Sequence, residues 1–182
     1  MTLTKLTKTN VTPTSEAGAY RVLAEHFNPV VDQVNTIADI LNQSNEILYA
    51  NVTLTATEIV GTAAGDIGHT AGAILVAAPT SDYALEFVSA TLIFDYHTAA
   101  YTGGNGDMVI RVGTVAQSSV VADANCIKAT GDKVYKVNAI ATETSLPVGS
   151  TINLFGTAFT NPGTAAGVLR VQLAYRIHET GL

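Results

Sequence analysis

The sequence contains no tryptophan and only one cysteine, Cys126, among its 182 residues. A single thiol excludes an intramolecular disulfide framework and a cysteine-rich zinc site. Charge is also scarce, since Asp, Glu, Lys and Arg together make up 13% of the chain, where about 25% is usual. Nine basic residues against fifteen acidic ones give a net charge of −6. Nucleic acids and anionic membranes bind to clustered cations, so we expect neither as a partner.

Long apolar runs and catalytic signatures are missing as well. The first 14 residues, MTLTKLTKTNVTPT, hold no apolar stretch of the roughly 7–15 residues that a secretory signal requires. No other window approaches the roughly 18 apolar residues of a membrane span. The nucleophile elbow, the P-loop, the zinc-protease motif and the EF-hand loop are all absent. We therefore expect a protein that is made in the cytoplasm without a signal peptide and that is not an enzyme.

Apolar residues make up 47% of the chain, which is enough for a packed core, and residues 1–45 carry them in a helical pattern. Their spacing alternates between three and four, as in heptads. Pro29 would cost a continuous helix about 3 kcal/mol, so the pattern predicts two helices, near 15–27 and 29–43. Packing against other copies and packing on the chain's own sheet both remain open. The positions concerned are Tyr20, Leu23, Phe27, Val30, Val34, Ile37 and Leu41.

From residue 46 onwards the apolar pattern has a period of two, which is typical of strands. The predicted strands are Ile47–Thr55, Glu58–Val60, Ala73–Ala77, Ala84–Tyr96, Asp107–Val115, Cys126–Ala129, Val134–Ala141, Thr151–Thr157 and Gly167–His178. On one face of the fourth lie Val88, Ala90, Leu92, Phe94 and Tyr96, and on one face of the last lie Leu169, Val171, Leu173, Tyr175 and Ile177. No helices separate these strands, so the pattern predicts a mainly β fold, an antiparallel β-sandwich of jelly-roll type. We assign it to residues 46–182, after an N-terminal arm and helical anchor in residues 1–45.

Two sets of side chains are candidates for a chemical role. The pairs Asp66/His69 and Asp95/His97 have groups that bind divalent metals, but the sequence does not bring the pairs together, and we expect no metal site and no cofactor. The second set lies near predicted loops, where aromatic rings could stack on a sugar, although a place in the core or an interface is favoured. It consists of Tyr83, Tyr96, Tyr101 and Tyr135. We expect Cys126 to be a small buried hydrophobic residue.

Two segments resemble the small virion proteins of tailed bacteriophages. The first runs from Gly65 to Gly113, GDIGHTAGAILVAAPTSDYALEFVSATLIFDYHTAAYTGGNGDMVIRVG, and the second, GVLRVQLAYRIHE, resembles the final strand of those proteins. The similarity is to capsid decoration, cement and head-fibre proteins, and it covers about residues 46–180. It implies a jelly-roll module that follows a short N-terminal region, assembly as a homotrimer and binding to the major capsid protein on the outside of the head. It implies no catalytic residue.

These observations together predict a virion structural protein that decorates and stabilises a phage head. The seven heptad positions are the predicted trimer or anchor interface. Lys5 and Lys8 are the only cations before Arg21, and the resemblance implies an acidic shell, so residues 1–14 are a candidate capsid-docking arm. The alternatives are a tail or baseplate protein and a carbohydrate-binding adhesion module.

Overall fold

The computed structural model of the protein describes residues 32–33, 46–104, 107–141, 145–160, 163 and 166–180. The chain divides into two units, Met1–Glu46 and Ile47–Leu182, and all strands reported below belong to the second. Asp32 and Gln33 are helical. The rest of the predicted helices 15–27 and 29–43, the seven heptad positions and the arm with Lys5 and Lys8 lie outside the described residues, so those assignments stay predictions.

The described part of the second unit consists mainly of strands, which form two four-stranded sheets and one two-stranded sheet. Sheet one has the order β1-β10-β3-β7, sheet two has the order β2-β8-β5-β6, and β4 pairs with β9. The strands are β1 (Leu48–Leu54), β2 (Ala73–Val76), β3 (Tyr83–Asp95), β4 (Thr102–Gly103), β5 (Val109–Val112), β6 (Val115–Ala116), β7 (Lys133–Asn138), β8 (Ile152–Phe155), β9 (Phe159–Thr160) and β10 (Val168–Glu179). All of these pairings are antiparallel. The prediction of a mainly β fold with antiparallel sheets is therefore confirmed.

The inner faces of both sheets belong to one hydrophobic cluster. Leu92 and Val171 enter it from sheet one, and Ile110 and Leu154 enter it from sheet two, all with no exposed surface. Full burial of such a side chain stabilises the fold by about 1.5–3 kcal/mol. Leu173 on β10 is 1% exposed, and its neighbour Gln172 is exposed, as the period of two predicts.

Two predicted strands are wrong. Glu58–Val60 is part of a short helix, α1 (Ala56–Val60), because Thr55 and Glu58 form a capping box. The backbone N–H of Thr55 donates to Oε2 of Glu58 at 2.7 Å, which fixes the first turn. Cys126–Ala129 follows a 3-10 helix (Asp123–Asn125) and forms turns, since the N–H groups of residues 126 and 128 both donate to the carbonyl of Asp123.

Two other predictions hold only in part. The predicted strand Asp107–Val115 is split into β5 and β6 by a turn at Gly113, whose φ of 59° favours glycine.

In β3 the shared face of Ala90, Leu92 and Phe94 is present, but Val88 is not on it. The register with β10 shifts there, so that Phe87 pairs with Tyr175 while Ser89 pairs with Ala174. Because this bulge leaves Val88 without a cross-strand partner, Phe87 turns into the core instead.

Candidate functional surfaces

The outer face of sheet one carries charges that pair with each other. Oε2 of Glu86 on β3 lies 3.3 Å from Nη1 of Arg176 and 2.8 Å from Nε2 of His178, both on β10. Further along the same two strands, Arg170 and Asp95 approach to 3.6 Å. Pairs this exposed contribute at most about 1 kcal/mol each to the free energy of unfolding, so their main effect is to keep this face hydrated.

One large aromatic side chain stands out on this same face. Tyr49 on the edge strand β1 is 76% exposed. The next residue on that face, Asn51, lies opposite Gln172 of β10, and both side chains are exposed. An exposed ring beside two amides offers stacking and hydrogen bonding together. Tyr49 was not among the tyrosines predicted from the sequence, because it lies within a strand and not near a predicted loop.

The outer face of sheet two is built differently. Its central row crosses the four strands, since Ile74 pairs with Asn153, Asn153 with Arg111, and Arg111 with Ala116. Ile74 is 50% exposed. The adjacent row pairs Phe155 with Val109, so this face is apolar apart from Asn153 and Arg111. An antiparallel sheet with one face in water normally has polar residues on that face, and sheet two departs from this rule.

Arg111 has no carboxylate partner among the described residues. Its guanidinium carbon lies 3.3 Å from the centroid of the Phe155 ring, a cation–π contact. Partial burial lowers the pKa of Arg111, because a guanidinium loses hydration on this face. The charge is therefore held by an aromatic ring rather than by an acid.

Asn153, the cross-strand neighbour of Arg111, has one amide atom without a partner. The residue is 1% exposed, and Nδ2 donates to the carbonyl of Gly113 at 3.0 Å. Oδ1 is buried and has no hydrogen-bond partner among the described residues. A buried acceptor in this state costs about 1–3 kcal/mol, and because Oδ1 has no exposed surface, a surface that docks on this face does not reach it.

The candidate metal ligands remain dispersed. Asp66 is buried and accepts from the N–H of Ala63 at 2.8 Å, while Nδ1 of His69 accepts from the N–H of Ala71 at 3.1 Å. Asp95 pairs with Arg170, and His97 lies beyond the end of β3 with its side chain exposed. Within the described residues there is no group of three or more His, Cys, Asp or Glu side chains placed to share an ion.

Among the predicted tyrosines, Tyr101 has a structural position. It is 1% exposed, its hydroxyl donates to the carbonyl of Gly167 at 2.7 Å, and burial raises its pKa to about 12. It is therefore out of reach of a sugar ligand, whereas Tyr83, Tyr96 and Tyr135 are half-buried.

Cys126 is fully buried, and burial raises the pKa of its thiol to about 12, as expected of a hydrophobic core residue.

No protein-family model matches the sequence, and no curated protein matches it. In the part of the chain that the structure describes, no helix combines the length and apolar character needed to cross a bilayer.

Proposed function

We propose that the protein is a structural component of a tailed-phage virion, which binds the outside of the capsid as a homotrimer and stabilises the head. The observation that carries the proposal is the pairing of the eight strands in the two large sheets. The first pairs with the last (β1 with β10), the second with the next to last (β2 with β8), and so on inwards (β3 with β7, β5 with β6). This nested order, in two sheets that share one core, supports a jelly roll, a fold used by viral capsid proteins.

The second support is the distribution of charge. Sheet two has an outer face with little polar character, and apolar faces of this kind are common where a protein contacts others. A decoration protein acts by adhesion, since it adds apolar contact area across neighbouring capsomers at about 25 cal/mol per Å² before association costs. Three linked copies add avidity, because binding of one raises the effective concentration of the other two. Such a role requires no catalytic residue and no cofactor, and its partners are the chain itself and a major capsid protein.

The proposal includes the N-terminal region as the attachment point, through the arm that carries Lys5 and Lys8. The test compares the full-length chain with one that starts at Asn45, each mixed with phage heads that lack the protein. We expect both to have the circular dichroism of a β fold and only the full-length chain to sediment with the heads. If neither chain sediments with heads, the capsid assignment is wrong. If the shortened chain also binds, the sheets carry the contact and the arm does not.

A carbohydrate-binding module is the second candidate, because jelly rolls also occur in lectins and because Tyr49, Asn51 and Gln172 form an exposed aromatic and amide group. A glycan array with the full-length protein distinguishes the two. Binding that disappears in Tyr49→Ala but persists in Val134→Ala, a change at the other edge of the same sheet, would favour the adhesion module. An array without binding, together with sedimentation on heads, would favour the virion component.

A further inference from the structure

The outer face of sheet two combines a charge without an acid and exposed apolar surface. Arg111 has no carboxylate partner among the described residues. Ile74, two strands away in the same row, exposes half of its surface. A surface that supplied a carboxylate and apolar area would complement both.

The same chain has a rim with the opposite character. Asp82 precedes β3 and Glu179 ends β10, and the N–H of Thr180 donates to the carbonyl of Asp82 at 2.7 Å, so the two acids lie at one corner. Both are exposed, and neither side chain has an ion pair or hydrogen bond among the described residues. Val148, which bridges to Ala84 at this corner, is 47% exposed. This acidic rim, defined as Asp82, Val148 and Glu179, combines free carboxylates with exposed apolar surface.

We propose that the outer face of sheet two packs on the acidic rim of a second copy of this chain, so that Arg111 of one copy meets Asp82 and Glu179 of the next. The two patches are different surfaces of the same chain. A contact between unlike patches is heterologous, and it closes into a ring when the rotation between copies divides the circle evenly. The inference rests on the proposed homotrimer, in which that rotation is one third of a turn, and it adds a contact between the strand-forming units of neighbouring copies to the predicted heptad interface.

The test uses full-length protein and light scattering over a dilution series. The wild type should weigh about three times 18.9 kDa. Arg111→Glu places like charges in the contact, and loss of a buried interfacial charge pair commonly weakens binding by at least about 30-fold. We therefore expect this variant to dissociate at a concentration at least about 30-fold higher than the wild type. Combining it with Asp82→Lys and Glu179→Lys should restore the trimer, which a merely misfolded variant would not do.

Matched controls separate this face from the opposite one. Arg170→Glu reverses a more exposed cation at a strand position of sheet one and should leave the trimer intact. Ile74→Asp and Tyr49→Asp each place a charge at an exposed apolar position on an edge strand, and we expect only the first to dissociate the trimer. Circular dichroism should be unchanged in all four single variants, because none of these side chains belongs to the fully buried core.

The outcomes distinguish this inference from the proposed function. A wild type that is monomeric at micromolar concentration overturns both the homotrimer and the contact. A trimer that persists in Arg111→Glu and in Ile74→Asp, and that still sediments with heads, overturns only the contact. Dissociation of Arg111→Glu without recovery in the triple variant would show that the carboxylate partners of Arg111 are not Asp82 and Glu179.

Discussion

The two large sheets share one core but present opposite surfaces. Seven charged residues lie in the strands of sheet one, and only Arg111 lies in those of sheet two. Sheet one balances its central charges within the sheet, since Glu86 binds Arg176 and His178, and Asp95 binds Arg170. The seven are Glu86, Asp95, Lys133, Lys136, Arg170, Arg176 and Glu179.

This difference concerns how each face holds its charges. The pairs on sheet one are surrounded by water, and their exposure keeps each contribution small. On sheet two, a cation rests on an aromatic ring with no acid beside it among the described residues. Each sheet also has one buried polar atom without a partner in the described part of the chain, Nε of Arg176 on sheet one and Oδ1 of Asn153 on sheet two. The unpaired cation and the apolar surface around it, and not the buried polar atoms, therefore distinguish sheet two.

The largest predicted effect concerns the division between the inner and outer faces of sheet one. Leu173→Asp would place an unpaired carboxylate in the core, and we expect a loss of about 4 kcal/mol or more in the free energy of unfolding, enough to prevent soluble folding. Gln172→Asp, one residue away on the exposed face, should change it by no more than about 0.5 kcal/mol. Soluble yield and urea unfolding measure both. Equal behaviour of the two variants would contradict the assigned faces of β10.

Sequence patterns found these faces where alternation is regular and missed them where backbone geometry intervenes. Leu169, Val171 and Leu173 follow strict alternation, and the structure buries all three. Alternation with a period of two does not predict the bulge at Val88, because the sequence does not show which residue of the strand is the extra residue of a bulge. The capping box at Thr55 and Glu58 was readable from the sequence, but the short apolar stretch after it also fits a strand.

The candidate surfaces were less accessible from sequence than the strands. The segments of β2, β5 and β8 read AILV, VIRV and INLF, and runs this short and apolar do not distinguish inner from outer faces. Arg111, Asn153 and Ile74 lie next to one another only through strand pairing, and such long-range register is not encoded in local spacing. The low fraction of charge fits an apolar outer face but does not locate it.

The next effect concerns the hydroxyl of Tyr101, a buried polar group that, unlike Oδ1 of Asn153, has a hydrogen-bond partner among the described residues. Tyr101→Phe keeps the ring beside Phe94, at 6.1 Å between centroids, but removes the hydroxyl that donates to the carbonyl of Gly167. The carbonyl would be left without this donor, so we expect a loss of about 1–2 kcal/mol in urea unfolding. A loss below the error of the measurement would indicate that the carbonyl of Gly167 finds another donor. Burial of the Tyr101 hydroxyl alone would then not determine how much the variant loses in the free energy of unfolding.

Tyr101 and Cys126 also predict how stability depends on alkaline pH. Burial raises the pKa of Tyr101 from 10.0 to about 12 and that of Cys126 from 9.0 to about 12. The folded state therefore favours the neutral forms, so their contribution to stability is fully present below pH 9 and is lost as the pH rises towards 12. Urea unfolding between pH 8 and pH 11 should show this decline. Tyr101→Phe should remove the part that begins near pH 10, and an unchanged profile would refute the role of Tyr101.

A smaller effect is expected at the Glu86 cluster of sheet one. Glu86→Gln removes the acid that contacts both Arg176 and His178, whose side chains are 34% and 36% exposed. Because water still reaches the cluster, the expected loss is about 1 kcal/mol in the free energy of unfolding. Light scattering should give the same mass as for the wild type. A change in mass would place a subunit contact on sheet one and weaken the contrast between the faces.

The smallest effect is expected for Asp95→Asn, which breaks the pair with Arg170 at 3.6 Å. The two side chains are 54% and 52% exposed, so solvent screens their attraction, and ordering two long side chains offsets part of it. We expect a change of no more than about 0.5 kcal/mol at low salt, and none that can be measured at about 1 M salt, where the screening length falls to about 3 Å. Urea unfolding at the two salt concentrations measures this. A salt-independent loss above about 1 kcal/mol would mean that this pair is shielded from water. Sheet one would then also carry a charge that is partly withdrawn from solvent, as sheet two does at Arg111.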